Sequence, residues 1–91
     1  MNSTALNSDL RYARAAADES VRVAWVDEHG QLRCMPGRCI DVSARRIHIE
    51  VPEQVPLQTH VALSVGRRSI PGPNAVKYLT KCNAKFILVL E

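Results

Sequence analysis

The sequence predicts an all-β protein, a six-stranded antiparallel β-barrel of split-barrel type carrying an N-terminal arm. Three observations lead there. From Ser20 onward, apolar and polar residues alternate with a period of two in several short runs, the signature of half-buried strands. Gly, Pro, Asn and Asp separate these runs at close intervals, and these are the residues that turn a chain sharply. The last run, Phe86, Ile87, Leu88, Val89 and Leu90, is apolar on both faces. A sheet with one wet face does not tolerate that pattern, whereas a closed barrel removes unpaired edges and wraps its strands.

A chain of 91 residues has too little apolar surface to divide between two cores, so one domain is expected. The expected organisation is an arm over residues 1–17 and a barrel over residues 18–91. Hydrophobic residues at 46% and charged residues at 23% are globular values, and no apolar run is long enough for a membrane helix. Residues 1–9 lack the basic start and apolar run of a secretory signal, so the expectation is a cytoplasmic protein without membrane insertion. Cys34, Cys39 and Cys82 are an odd number with no Cys-x-x-Cys pair, which reads as reduced thiols in strands and not as a zinc site or a disulfide staple. The net charge of +3 is mild. Its make-up is more informative, since nine of the twelve cations are Arg, whose planar fork stacks on bases and grips guanine edges or phosphate.

In the arm, Leu10-Arg11-Tyr12-Ala13-Arg14 leads into three alanines. Local propensity allows a helix capped by Ser8 or Asp9, with Arg11 and Arg14 on one face at i, i+3. The first strand follows, with Val21, Val23 and Trp25 alternating against Arg22 and Ala24 up to a turn at Asp27-Glu28-His29-Gly30. The second begins near Gln31, and Pro36-Gly37 predicts a bulge or edge before Arg38-Cys39-Ile40, because proline cannot donate to a ladder. Asp41-Val42-Ser43-Ala44 links to a third strand over residues 45–51, where Ile47, Ile49 and Val51 oppose Arg46, His48 and Glu50. Val61, Leu63 and Val65 mark the fourth strand, which Gly66-Arg67-Arg68-Ser69 ends. A fifth strand is expected over residues 75–80, a turn at Lys81-Cys82-Asn83, and the sixth strand over residues 84–90.

The order of these features resembles the PilZ domain: an Arg-bearing arm, a strand ending in Asp-x-x-Gly, an Asp-x-Ser turn into an Ile-x-Ile strand, a Pro-bounded loop and an Ala-Val-Lys-Tyr strand. The resemblance spans about residues 9–91 and is densest over Cys39-Ile40-Asp41-Val42-Ser43-Ala44-Arg45-Arg46-Ile47-His48-Ile49. It implies a bacterial module that binds the second messenger cyclic di-GMP through an Arg-x-x-x-Arg motif in the arm and an Asp/Asn-x-Ser-x-x-Gly motif after the second strand. Arg14 matches the second arginine, Leu10 stands at the place of the first, and Arg11 is one residue off. Asp41 and Ser43 match the second motif, with Arg46 where its glycine belongs. The implied ligand-binding set is therefore Arg11, Arg14, Asp41, Ser43 and Arg46.

Physically, the guanidinium fork of Arg14 fits guanine O6 and N7. Asp41 can accept from guanine N1 and N2, and Ser43 can bond base or phosphate. Arg46 has two opposed readings: it holds a phosphate, or it fills the space a glycine would leave for the dinucleotide. The resemblance implies an arm that closes on the barrel with the ligand between them. Asp-x-Ser before a strand also has a purely local reading, as a turn whose side chains satisfy nearby backbone groups.

His29, His48 and His60 have no spacing that gathers them on a metal or beside a nucleophile. None of the serines lies in a nucleophile elbow, and no glycine-rich phosphate loop exists. The expectation is a non-enzymatic module with no cofactor beyond its ligand. The alternative is a degenerate PilZ domain serving as a protein–protein adaptor, or pairing as a homodimer through the apolar strand over residues 86–90. A small OB- or Sm-like barrel binding single-stranded nucleic acid ranks last, since Tyr12, Trp25, Tyr78 and Phe86 are few stacking platforms; no DNA or RNA partner is expected.

Overall fold

The computed structural model describes Tyr12 and residues 15–91; most of the expected arm helix lies outside them, and Ala15, Ala16 and Ala17, at its end, are not helical. The chain is all-β, with seven strands and no helix among the described residues. The strands are β1 (Ser20–Val26), β2 (Leu32–Val42), β3 (Ile47–Val51), β4 (Ala62–Val65), β5 (Arg68–Ile70), β6 (Val76–Cys82) and β7 (Lys85–Leu90). They form one antiparallel sheet in the order β5-β4-β1-β2-β3-β7-β6.

The period-two pattern dictates which side chains enter the core. Val21, Val23 and Trp25 from β1, Met35 and Cys39 from β2, and Ile47, Ile49 and Val51 from β3 are all buried. Leu63 and Val65 from β4, Val76 from β6, and Leu88 and Leu90 from β7 complete the same cluster. The β1–β2 turn is fixed by Asp27, whose carboxylate Oδ1 accepts from the backbone N–H of both His29 and Gln31 at 2.9 Å, the local side-chain-to-backbone bonding that suits Asp to turns.

Three features differ from the sequence expectation. First, there are seven strands and not six. Gly66-Arg67 is a two-residue hairpin turn with Gly66 at φ 61°, and it returns the chain so that Arg68 pairs with Val65 and Ile70 with Leu63. A three-residue strand with two exposed residues is too short to show an alternating pattern.

Second, β2 runs unbroken through Pro36, which lies where the strand has the expected edge, and the bulge falls instead between Cys39 and Asp41. Pro36 pairs with Arg22 of β1, and the β2–β3 ladder starts only at Arg38. At Pro36 the strand therefore has a partner on one side, and a missing donor interrupts no second ladder. Gly37 beside it permits close packing: a Cβ there would lie 2.8 Å from Ile49 Cγ2 and 3.1 Å from the Glu50 carbonyl oxygen.

Third, the sheet does not close into a barrel. The edge of β4 is occupied by β5 over Leu63, Ser64 and Val65, which leaves only the preceding segment to reach β6. There His60 bridges to Ala75, Val61 N–H donates to the Asn74 carbonyl at 2.8 Å, and Val76 N–H donates to that of Thr59 at 3.0 Å. The sheet curls until its ends touch at this point, and beyond it β6 keeps a free edge among the described residues.

The two-faced apolar strand is β7, and it is internal, paired with β3 on one side and β6 on the other. Both its edges are taken, so a homodimer cannot pair through residues 86–90 as an added strand; an added strand meets β6 or β5, the two ends of the sheet. Of the three free thiols, Cys39 is buried while Cys34 and Cys82 are exposed. No helix among the described residues is long and apolar enough to cross a membrane.

Candidate ligand-binding face

The bulge in β2 and the start of β3 bring the Asp-x-Ser segment to the outward face of the sheet. Register then defines a row across four strands. Asp41 of β2 pairs with His48 of β3, His48 with Val89 of β7, and Val89 with Tyr78 of β6. Tyr78 is 57% exposed. Val89 is only 8% exposed yet lies outside the core cluster.

Arg46 stands at the rim of the row. Its guanidinium lies 5.5 Å from the centroid of the Tyr78 ring, within the range of cation–π attraction. Arg46 Nε donates to Glu91 Oε2 at 2.7 Å and Nη2 donates to the same oxygen. Glu91 is itself fastened by reciprocal backbone bonds with Ala75, at 2.9 and 3.1 Å. Asp41 Oδ1 accepts from Val42 N–H at 3.0 Å, and Oδ2 lies 3.9 Å from His48 Nδ1. The Asp41 side chain is 77% exposed and available to a ligand.

Ser43 carries a local role. Its backbone N–H donates to the Arg46 carbonyl at 2.8 Å. Its hydroxyl donates to the same carbonyl at 3.1 Å and accepts from Arg46 N–H at 3.2 Å. The side chain thus holds the β2–β3 turn closed, the local reading of Asp-x-Ser, and through that turn it aims Arg46.

Arg11 and Arg14 lie outside the described residues. Tyr12 between them is fully buried. Its hydroxyl donates to Asn74 Oδ1 at 2.6 Å, its N–H donates to the Ala44 carbonyl at 3.5 Å, and Ala44 belongs to the turn of Ser43 and Arg46. The arm is thereby bolted to the core beside the candidate face. Asn74 is the buried polar residue that receives this bolt, and its amide donates in turn to the Ile70 carbonyl at 3.4 Å.

The structure brings Asp41, Ser43 and Arg46 together and adds His48, Tyr78, Glu91 and Tyr12, which sequence reasoning missed. A signal existed only for Tyr12, a lone aromatic in a polar, Ala-rich arm, where such a ring is costly to leave in water.

Other charges are engaged elsewhere. Arg38 pairs with Asp18 at 2.7 Å and with Glu50 at 3.3 Å, and Lys85 approaches Glu50 at 3.7 Å. A cavity of about 670 Å³ opens near Trp25, Arg33, Glu53 and Pro56, away from the candidate residues. Arg33, its one cation, is paired with Glu53 at 2.8 Å and approaches Asp27 at 3.7 Å. With Glu28 also in its wall, it suits an anionic ligand poorly. No cluster of His, Cys, Asp or Glu that could hold a metal ion occurs among the described residues. No family model matches the chain, and no curated protein or solved structure matches it.

Proposed function

We propose that the chain is a non-catalytic, cytoplasmic receptor module of PilZ type that binds cyclic di-GMP on the outward face of β2, β3, β7 and β6. The observation that supports this reading is the convergence of an exposed carboxylate (Asp41), a guanidinium (Arg46) and an exposed aromatic ring (Tyr78) beside the point where Tyr12 fastens the arm. A guanine offers N–H donors to a carboxylate, acceptors to a guanidinium and a flat face to a ring. Its phosphates ask for cations, which Arg46 and the arm residues Arg11 and Arg14 supply. Titration calorimetry of the full chain with cyclic di-GMP at low salt tests the reading. A saturable heat that Asp41→Ala and Arg46→Ala each diminish is expected; absence of heat overturns it.

A second reading is favoured by one observation, the occupation of Arg46 by Glu91. In that reading the domain has given up the dinucleotide and binds a protein, whose strand adds to the free edge of β6. A dinucleotide titration without heat, together with protection of β6 amides by a binding partner, is its expected signature.

A further inference from the structure

We infer that Glu91 sets the affinity of the ligand face: its carboxylate acts as an internal competitor that an anionic ligand must displace from Arg46. The inference rests on the proposal that this face takes a phosphate-bearing ligand, and it names what sets the affinity there. Arg46 presents Nε and Nη2, one edge of its fork, to a single carboxylate oxygen. A phosphate uses the same donors in the same way. The two anions are therefore alternatives for one edge of one guanidinium.

The competitor is held at high local concentration. Glu91 follows directly on β7, and its backbone is pinned to Ala75 by two hydrogen bonds. The preceding residue, Asn74, accepts the hydroxyl of Tyr12, and Tyr12 bonds to Ala44 in the turn that carries Arg46. Arg46, Glu91, Ala75, Asn74, Tyr12 and Ala44 thus form a closed ring of contacts. The ion pair itself is half-exposed, with Arg46 and Glu91 side chains at 45% and 33%. Exposed pairs of this kind are weak, so a ligand phosphate can break this one, at a definite cost in affinity. Tyr78 retains the guanidinium near the face once the carboxylate is displaced.

Binding of pyrophosphate and of cyclic di-GMP is measured by calorimetry for the wild-type chain, Glu91→Gln, Glu91→Ala, Arg46→Ala and the double variant Arg46→Ala/Glu91→Gln. Backbone pinning of Glu91 does not involve its side chain, and both Glu91 variants are checked by circular dichroism. Removing the carboxylate charge is expected to tighten pyrophosphate binding by about three-fold or more, the scale of an exposed ion pair. In the Arg46→Ala background the same change is expected to have no effect. Equal affinity in wild type and both Glu91 variants overturns the inference, as does an equal gain without Arg46, which marks a general field effect of the lost charge. If pyrophosphate shows the expected cycle and the dinucleotide binds nowhere, the competitor role stands and the cyclic di-GMP reading falls. If the dinucleotide binds wild type and the Glu91 variants alike, the receptor reading stands and the competitor role falls.

Discussion

Gly37 and Cys39 show how closely β2 is fitted to the strands around it. A methyl group at Gly37 meets the Ile49 side chain at 2.8 Å and the Glu50 carbonyl at 3.1 Å, and the backbone atom cannot swing aside. Gly37→Ala is expected to destabilise the fold by about 1–3 kcal/mol, the usual cost of overpacking, read as a lower urea midpoint at unchanged slope. Two positions on, burial pushes the Cys39 thiol above its ordinary value of 9.0, and Glu19, Asp41 and Asp18 add to the rise. The unfolded chain therefore loses this proton first as pH rises. In that window the folded state binds more protons than the unfolded one, so stability contributed by the neutral thiol is complete below pH 9 and declines above it. Denaturation midpoints compared between pH 8 and pH 10 are expected to fall less for Cys39→Val than for wild type. In the native protein a thiol reagent is expected to modify the exposed Cys34 and Cys82 and to spare Cys39.

At the scale of elements, the arm is tied to the sheet by Tyr12. Tyr12→Phe deletes the donor to buried Asn74 Oδ1 while keeping the ring, so a loss of about 1–3 kcal/mol is expected in chemical unfolding; an unchanged midpoint contradicts the bolt. The bolt also explains what sequence could and could not reveal. Alternation located β1, β3 and β4 because each buries one face, the continuous apolar run located β7, flanking turn residues located β6, and local chemistry located the Asp27 turn. Pro36 marked a place where β2 has a neighbour on one side only, whereas the position of the bulge past Cys39 depends on how β3 packs, which is a property of the sheet. β5 escaped because three residues carry no period. The candidate site divides in the same way. Asp41, Ser43 and Arg46 lie within one turn and were legible together, whereas Tyr12 finds Asn74 across 62 residues and Arg46 finds Glu91 across 45. No local pattern encodes contacts that only the curling of the sheet creates.

The whole molecule is a curled sheet whose two ends touch at His60 and Ala75, with one outward face on β2, β3, β7 and β6 that combines carboxylate, guanidinium and aromatic ring. The rest of β6 keeps an open edge marked by Lys77 and Lys81, the kind of charge that discourages strand pairing between copies. Light scattering of the full chain at high concentration is accordingly expected to give a monomer; a dimer whose interface protects β6 amides contradicts that assignment. The central claim is that a guanine dinucleotide binds on the outward row of Asp41, His48, Val89 and Tyr78. Amide chemical-shift mapping during titration of the full chain with cyclic di-GMP tests it most directly. Shifts confined to the β2–β3 turn, Tyr78, Val89, Glu91 and the arm around Tyr12 are predicted; no shifts, or shifts centred on Trp25 and Arg33, contradict it.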